Sequence, residues 1–283
     1  MPDLDRRLNA YRDDLADSRL EGTVTAARFV DGADRRVALG VAPLRKAPAP
    51  GTQLVSELLF GERVRVFEDK DGVAWVQNAT DGYVGYTDSA ALSDRLHAPT
   101  HVVSAILSCL YPEPAIRAPS QGILPMGAGV AVTGSKGRYA ELATGGWVPL
   151  QHLAEADAFE SDFIEVAQRL TGAPYVWGGR SALGLDCSAL VQLTLARCGV
   201  AAPRDSDMQE AGLGKPVAFD GDASALRRGD IVFWKGHVGI FIAPERFLHA
   251  NARDMAVAAA PFAEVVRYIE DAEKQTVSSV RRL

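Results

Sequence analysis

The chain has no excess of positive charge, few cysteines and no long apolar run. Lys and Arg number 30 against 36 Asp and Glu, a formal net charge of -6, which argues against a non-specific nucleic-acid binder. No apolar stretch reaches the ~18 residues of a spanning helix, so no membrane partner is expected. The first 20 residues, MPDLDRRLNAYRDDLADSRL, are charged throughout and lack the apolar core of a secretory leader. Three scattered cysteines, Cys109, Cys187 and Cys198, make neither a disulfide framework nor a zinc cluster. A reducing cytoplasm is the expected location. Against these absences, 47% apolar residues over 283 positions suffice for a sizeable core, at a length suited to two or three domains.

Three textures follow one another. In residues 1–20, Leu4, Leu8, Tyr11 and Leu15 recur at helical spacing, which predicts a short amphipathic arm. From 21 to 97, alternating runs such as RVRVFED, VAWVQNA and GYVGYTD are broken by Gly, Asp and Asn, the pattern of a small all-β domain. Residues 98–155 repeat this grammar: G-x-x-V-x-V at Gly61–Val66 and Gly127–Val132, then G-[YW]-V at Gly82–Val84 and Gly146–Val148. Two small SH3-type barrels in tandem are expected. From 156 to 283 the texture becomes α+β: helical segments around 161–172 and 187–199, then strand-like DIVFW, HVGIFI, RFLHANA and VSSVRRL.

Chemistry concentrates in this last part. Cys187 stands at the start of an expected helix, after Asp186 and a Gly-rich loop. A helix N-terminus favours a thiolate, so a lowered pKa and a nucleophilic role are expected. Cys198 and Cys109, in apolar surroundings, read as structural. A thiolate nucleophile needs a base and an orienting group. His237 and His249 open and interrupt two successive strands, 12 residues apart, and would be neighbours on a hairpin. They could instead ligate a metal, but no third ligand stands at a usual spacing, and no metal or organic cofactor is expected.

Five blocks in order, Pro174-Tyr-Val-Trp-Gly-Gly179, Asp186-Cys-Ser188, Gly229-Asp-Ile-Val-Phe-Trp234, His237-Val-Gly-Ile240 and His249-Ala250, resemble the NlpC/p60 family of papain-like cysteine peptidases, which cut bacterial cell-wall peptides. With bacterial SH3 domains in front, the resemblance is to its γ-D-glutamyl-L-diamino acid endopeptidases. It implies Cys187 as nucleophile, His237 as base and His249 as the group orienting it. It also implies a murein-peptide substrate, L-Ala-γ-D-Glu-diamino acid, read through its free amine, and a role in cell-wall peptide recycling. The pocket for that amine would draw on Tyr175, Trp177, Asp186, Ser188 and Ser206. The first SH3 domain would add an acid, Glu57 or Glu62 with Glu57 favoured, and a tyrosine, Tyr83 or Tyr86. Two rivals are a papain-like amidase or acyltransferase, and a non-catalytic wall-peptide binder, for which an intact Cys/His/His set would be superfluous.

Overall fold

A computed structural model describes residues 4–49, 51–95 and 97–283. The chain forms two compact units, Met1–Ala158 and Phe159–Leu283.

The first unit contains a seven-stranded antiparallel sheet. Its strands are β1 (Ala33–Val37), β2 (Val41–Arg45), β3 (Leu54–Leu59), β4 (Arg63–Lys70), β5 (Val73–Asn78), β6 (Val84–Asp88) and β7 (Leu92–Ser93). They run in the order β3-β2-β6-β5-β4-β1-β7. Period-2 patterning turns Leu44, Leu58, Val64, Val76 and Tyr83 into one buried cluster. Tyr83, 5% exposed, is thus a core residue and not the face of a binding pocket. Tyr86 is half-buried: its ring stacks on Trp75 and its hydroxyl accepts from Arg12 Nη1 at 3.1 Å. Glu57 lies within β3, not in a loop, on the face opposite buried Ser56 and Leu58. Glu62 is a turn cap, its Oε2 accepting from the Leu59 N–H at 2.8 Å.

The amphipathic arm expected at 1–20 is no α-helix over its described residues. Asp5 closes a single turn through its carbonyl, which accepts from Leu8 and Asn9, and the chain then extends to Ala16–Asp17 and a 3-10 turn, Ser18–Leu20. Tertiary packing overrides the spacing, because Ala10 and Leu15 are buried against Phe67 and Trp75.

The second barrel expected over 98–155 is also not formed as such. His101–Val103 pairs with Gly129–Val130 and Leu153–Glu155; Leu107–Leu110 pairs with Gly122–Pro125; Val132–Lys136, Tyr139–Leu142 and Trp147–Pro149 make a third sheet. These strands have two to five residues, and a bulge between Val132 and Gly134 breaks the register. Three open sheets share one apolar cluster, including Val103, Val130, Leu142 and Val148.

The second unit carries four helices among its described residues: α1 (Phe163–Arg169), α2 (Cys187–Arg197), α3 (Ser206–Gly212) and α4 (Phe262–Glu273). Its six-stranded antiparallel sheet holds β8 (Lys215–Val217), β9 (Ile231–Trp234), β10 (His237–Ala243), β11 (Arg246–Asn251), β12 (Ala256–Pro261) and β13 (Ser279–Arg282) in the order β8-β13-β9-β10-β11-β12. Every residue of β9 is buried, so the run is apolar without alternation. Helix α2 packs on β10 and β11, while Phe262, Val265 and Ile269 of α4 join Val232, Trp234, Phe241 and Phe247 in one core. The closing strand is pinned by Arg282, whose Nε and Nη2 each donate to the fully buried Asp230 carboxylate at 2.7 Å.

Gly239 of β10 sits where a side chain has no room. A Cβ there would stand 2.6 Å from the Phe247 ring and 2.8 Å from the His249 Cβ. Phe247 is fully buried and cannot retreat. Gly239→Ala should therefore lower stability by about 1–3 kcal/mol in urea unfolding, the usual cost of overpacking; a change within error would show that β11 yields freely.

Candidate active site

The site is built on the head of α2. Asp186 is its N-cap: Oδ1 accepts from the Ala189 N–H at 2.9 Å and the Ser188 hydroxyl at 3.0 Å. Oδ2 accepts from the Gly178 N–H at 3.0 Å, and Arg204 donates to both oxygens, at 2.9 and 2.6 Å. Gly178 reaches its partner in a left-handed conformation, φ 78°, which glycine adopts without strain. With these five donors the carboxylate is saturated. Asp186, which the sequence places in the amine pocket, is thus already engaged by the helix head and Arg204. Ser188 is committed likewise, donating to Asp186 and accepting from Arg204 Nη1 at 2.9 Å.

Cys187 is the first residue of α2 and is buried. Burial pushes its thiol up to about 12, and the neighbouring Asp186 adds to the rise; the Val238 N–H, Arg204 and the Ser188 N–H pull the other way. The lowered pKa expected from the helix N-terminus is thus outweighed by desolvation. The Val238 N–H contact brings the thiol beside His237, the first residue of β10. His237 Nε2 and His249 Nδ1 are 2.9 Å apart. The pairing of Phe241 with Phe247, and of Ile240 with Leu248, sets Gly239 opposite His249, so the two imidazoles meet on the diagonal across the glycine gap. Trp234 stacks obliquely on His237, ring centroids 5.8 Å apart.

Burial pushes His237 down to about 4. Burial, then the proximity of His237 and Arg253, pushes His249 down to about 3. Burial thus favours the neutral forms of the thiol and of both imidazoles. Because Nε2 of His237 is directed to His249, Nδ1 is the nitrogen left for the thiol proton. The Cys187 N–H, in the first turn of α2, has no intrahelical acceptor and suits a developing oxyanion.

Around this core, Tyr175 is half-buried, its phenolic pKa raised by burial, Cys187 and Asp186. Trp177, 59% exposed, stands in the loop that ends at Gly178 and Gly179. Ser206 is not in a loop but opens α3, two residues after Arg204. Glu57, Tyr83 and Tyr86 belong to the other unit. Arg204, two residues before Ser206, carried no sequence expectation.

Residues 172–273 match the NlpC/P60 family, and residues 44–92 match the bacterial dipeptidyl-peptidase Sh3 domain. The chain carries an NlpC/P60 domain behind a bacterial SH3 domain. It is a hydrolase of the NlpC/P60 peptidase type. Dipeptidyl-peptidase 6 of Lysinibacillus sphaericus is 26% identical over 75% of this chain and 85% of its own length. A gamma-D-glutamyl-L-lysine dipeptidyl-peptidase of Bacillus subtilis is 28% identical over 43% of this chain, and the match spans 40% of that protein. A solved NlpC/P60 family protein from Bacillus cereus shares the fold, with TM-score 0.74 at 20% identity over 88% of this chain and 99% of that one. The SH3 match ends at residue 92, before the three open sheets.

The lowered pKa values of the buried histidines predict that the second unit loses stability in acid. Both folded pKa values lie below the unfolded 6.5, so the unfolded state binds more protons, and stability present above pH 6.5 is lost as pH falls toward about 4 and 3. Each histidine should cost roughly 2 kcal/mol between pH 6.5 and about 4.5. Urea unfolding of His249→Gln should show a flatter pH slope in that window than wild type; equal slopes would mean that the histidines do not titrate this way.

Proposed function

We propose that the protein hydrolyses the γ-D-glutamyl-L-diamino acid bond of murein peptides that carry a free N-terminal L-Ala. The protein is a cysteine peptidase acting on peptidoglycan peptides; the bond and the free amine are the finer reading. Its main support is the contact of His237 Nε2 with His249 Nδ1 at 2.9 Å, on the strand whose Val238 N–H meets the Cys187 sulfur. A binding module has no use for such an array. The choice of bond is supported by the similarity to relatives named gamma-D-glutamyl-L-lysine dipeptidyl-peptidase, over 43% and 39% of the chain.

In this reading Cys187 is the nucleophile and His237 the base. The Cys187 proton passes to His237 Nδ1, and the sulfur attacks the γ-D-glutamyl carbonyl. His249 accepts the Nε2 proton bond of His237 and so fixes its tautomer as the imidazolium forms. The imidazolium then protonates the leaving amine of the diamino acid, and His237 draws a proton from water as the thioester is hydrolysed. Tyr175, Trp177 and Ser206 are the residues of this unit proposed to read the L-Ala end. The setting we propose is the recycling of released wall peptides in the cytoplasm, the residues 98–155 serving as a second, open SH3-like module.

Mass spectrometry of digests of free tripeptide, N-acetylated tripeptide and intact wall tests this directly. Cleavage of the free tripeptide alone, to L-Ala-γ-D-Glu and the diamino acid, is the expected result. Release of fragments from intact wall at comparable rate would overturn the free-amine specificity. Cys187→Ala should abolish hydrolysis while leaving the circular dichroism unchanged. His237→Ala should lower kcat by about 10²–10⁴-fold, and His249→Asn by less.

A further inference from the structure

Arg204 is 1% exposed, and burial would lower its pKa, yet Asp186 holds it raised and fully charged. An arginine is tolerated at such depth only where its donors are used. Nη1 donates to Asp186 Oδ1 and to Ser188 Oγ, both at 2.9 Å; Nη2 donates to Asp186 Oδ2 at 2.6 Å and to the Gly179 carbonyl at 3.3 Å. One guanidinium thereby ties the N-cap of α2, the residue after the nucleophile and the loop before it. The segment bearing Arg204 is itself fixed by Gln209 of α3, whose Nε2 donates to the Ser188 and Pro203 carbonyls at 2.8 Å each.

The arrangement resolves a conflict at the helix head. A carboxylate is a favourable N-cap, but Asp186 directly precedes Cys187, and an uncompensated anion there opposes thiolate formation. Asp186 and Arg204 face Cys187 with Tyr175, and His237 stands beside it; Arg180 and Asp205 face Arg204 from the other side. Only a guanidinium offers two parallel donors to the carboxylate and a third direction for Gly179.

We propose that Arg204 is a positioning residue for the Cys187 nucleophile: it fixes Asp186 and the Gly178–Gly179 loop on the head of α2, and its charge offsets that of Asp186 as the thiolate forms. This deepens the reading of Cys187 as nucleophile and rests on it.

The test uses the full chain and two readouts: the pH dependence of Cys187 alkylation by iodoacetamide, followed by mass spectrometry of the Cys187 peptide, and kcat and KM on the free tripeptide. Because the wild-type thiol lies at about 12, the midpoint is read from the alkylation rate at fixed pH below it: Arg204→Gln should slow alkylation about tenfold, equivalent to a midpoint raised by about one pH unit. Its kcat should fall at least tenfold with KM changed less. Arg204→Lys, which keeps the charge and loses the fork, should hold the midpoint and lose part of kcat. Asp186→Asn/Arg204→Gln should return the midpoint to the wild-type value. A midpoint unmoved in folded Arg204→Gln, or still raised in the double variant, overturns the proposal. If Arg204→Gln does not fold, Asp186→Asn decides, because the cation left beside the sulfur should then lower the midpoint, and an unchanged or raised value overturns the proposal. Activity retained by Cys187→Ala would instead sink the nucleophile assignment, and the alkylation profile would still report on Arg204 independently.

Discussion

The buried ion pair of Asp186 and Arg204 is the constraint around which the active end of the second unit is organised. It closes the first turn of α2, holds Gly178 and Gly179 in place and engages Ser188, all within hydrogen-bond distance. Taking both charges out of water costs several kcal/mol each, and the array recovers that only because every carboxylate lone pair is met. Removing one partner would leave an uncompensated buried charge, a loss of roughly 3–5 kcal/mol.

The second organising fact is dryness. Cys187 and His249 are buried and His237 is half-buried, so burial raises the thiol and lowers both imidazoles. Neutral partners can share a dry cleft at little cost, whereas a thiolate–imidazolium pair would have to be desolvated in advance. The diagonal meeting of the two imidazoles also depends on what is missing: Gly239 leaves the gap into which Phe247 and His249 lean.

Much of the second unit was legible in the sequence. The Cys187 helix start, the β9 and β10 strands and the closing β13 follow from apolar runs bounded by Gly and polar residues. Four elements escaped. Helix α3 and strand β8 are short and lie in a polar stretch after α2. The strand β12, Ala256–Pro261, is mostly alanine and carries little β signal. Helix α4 does show Phe262, Val265 and Ile269 at helical spacing, but it opens directly after Pro261, which punctuates the end of a strand as readily as the start of a helix. In the first unit, the spacing of Leu4, Leu8, Tyr11 and Leu15 suggested a helix, yet the chain extends so that Leu15 reaches Phe67 and Trp75. Four apolar positions at helical spacing are too few to outweigh that burial.

Residue types and their order by themselves determined the chemistry available: one cysteine at a helix start, two histidines on successive strands, and a Gly-rich loop before the nucleophile. These are local properties, fixed by capping preference and hydrophobic period. Only the tertiary structure decided which side chains were already committed. Asp186 and Ser188 turned out to be spoken for by Arg204, 18 and 16 residues away in sequence, and Tyr83 by the first unit's core. It also decided the protonation state, since desolvation depends on what packs around a group and not on its neighbours in the chain. Pairing across distance and exclusion of water are cooperative properties of the folded whole, and no local pattern encodes them.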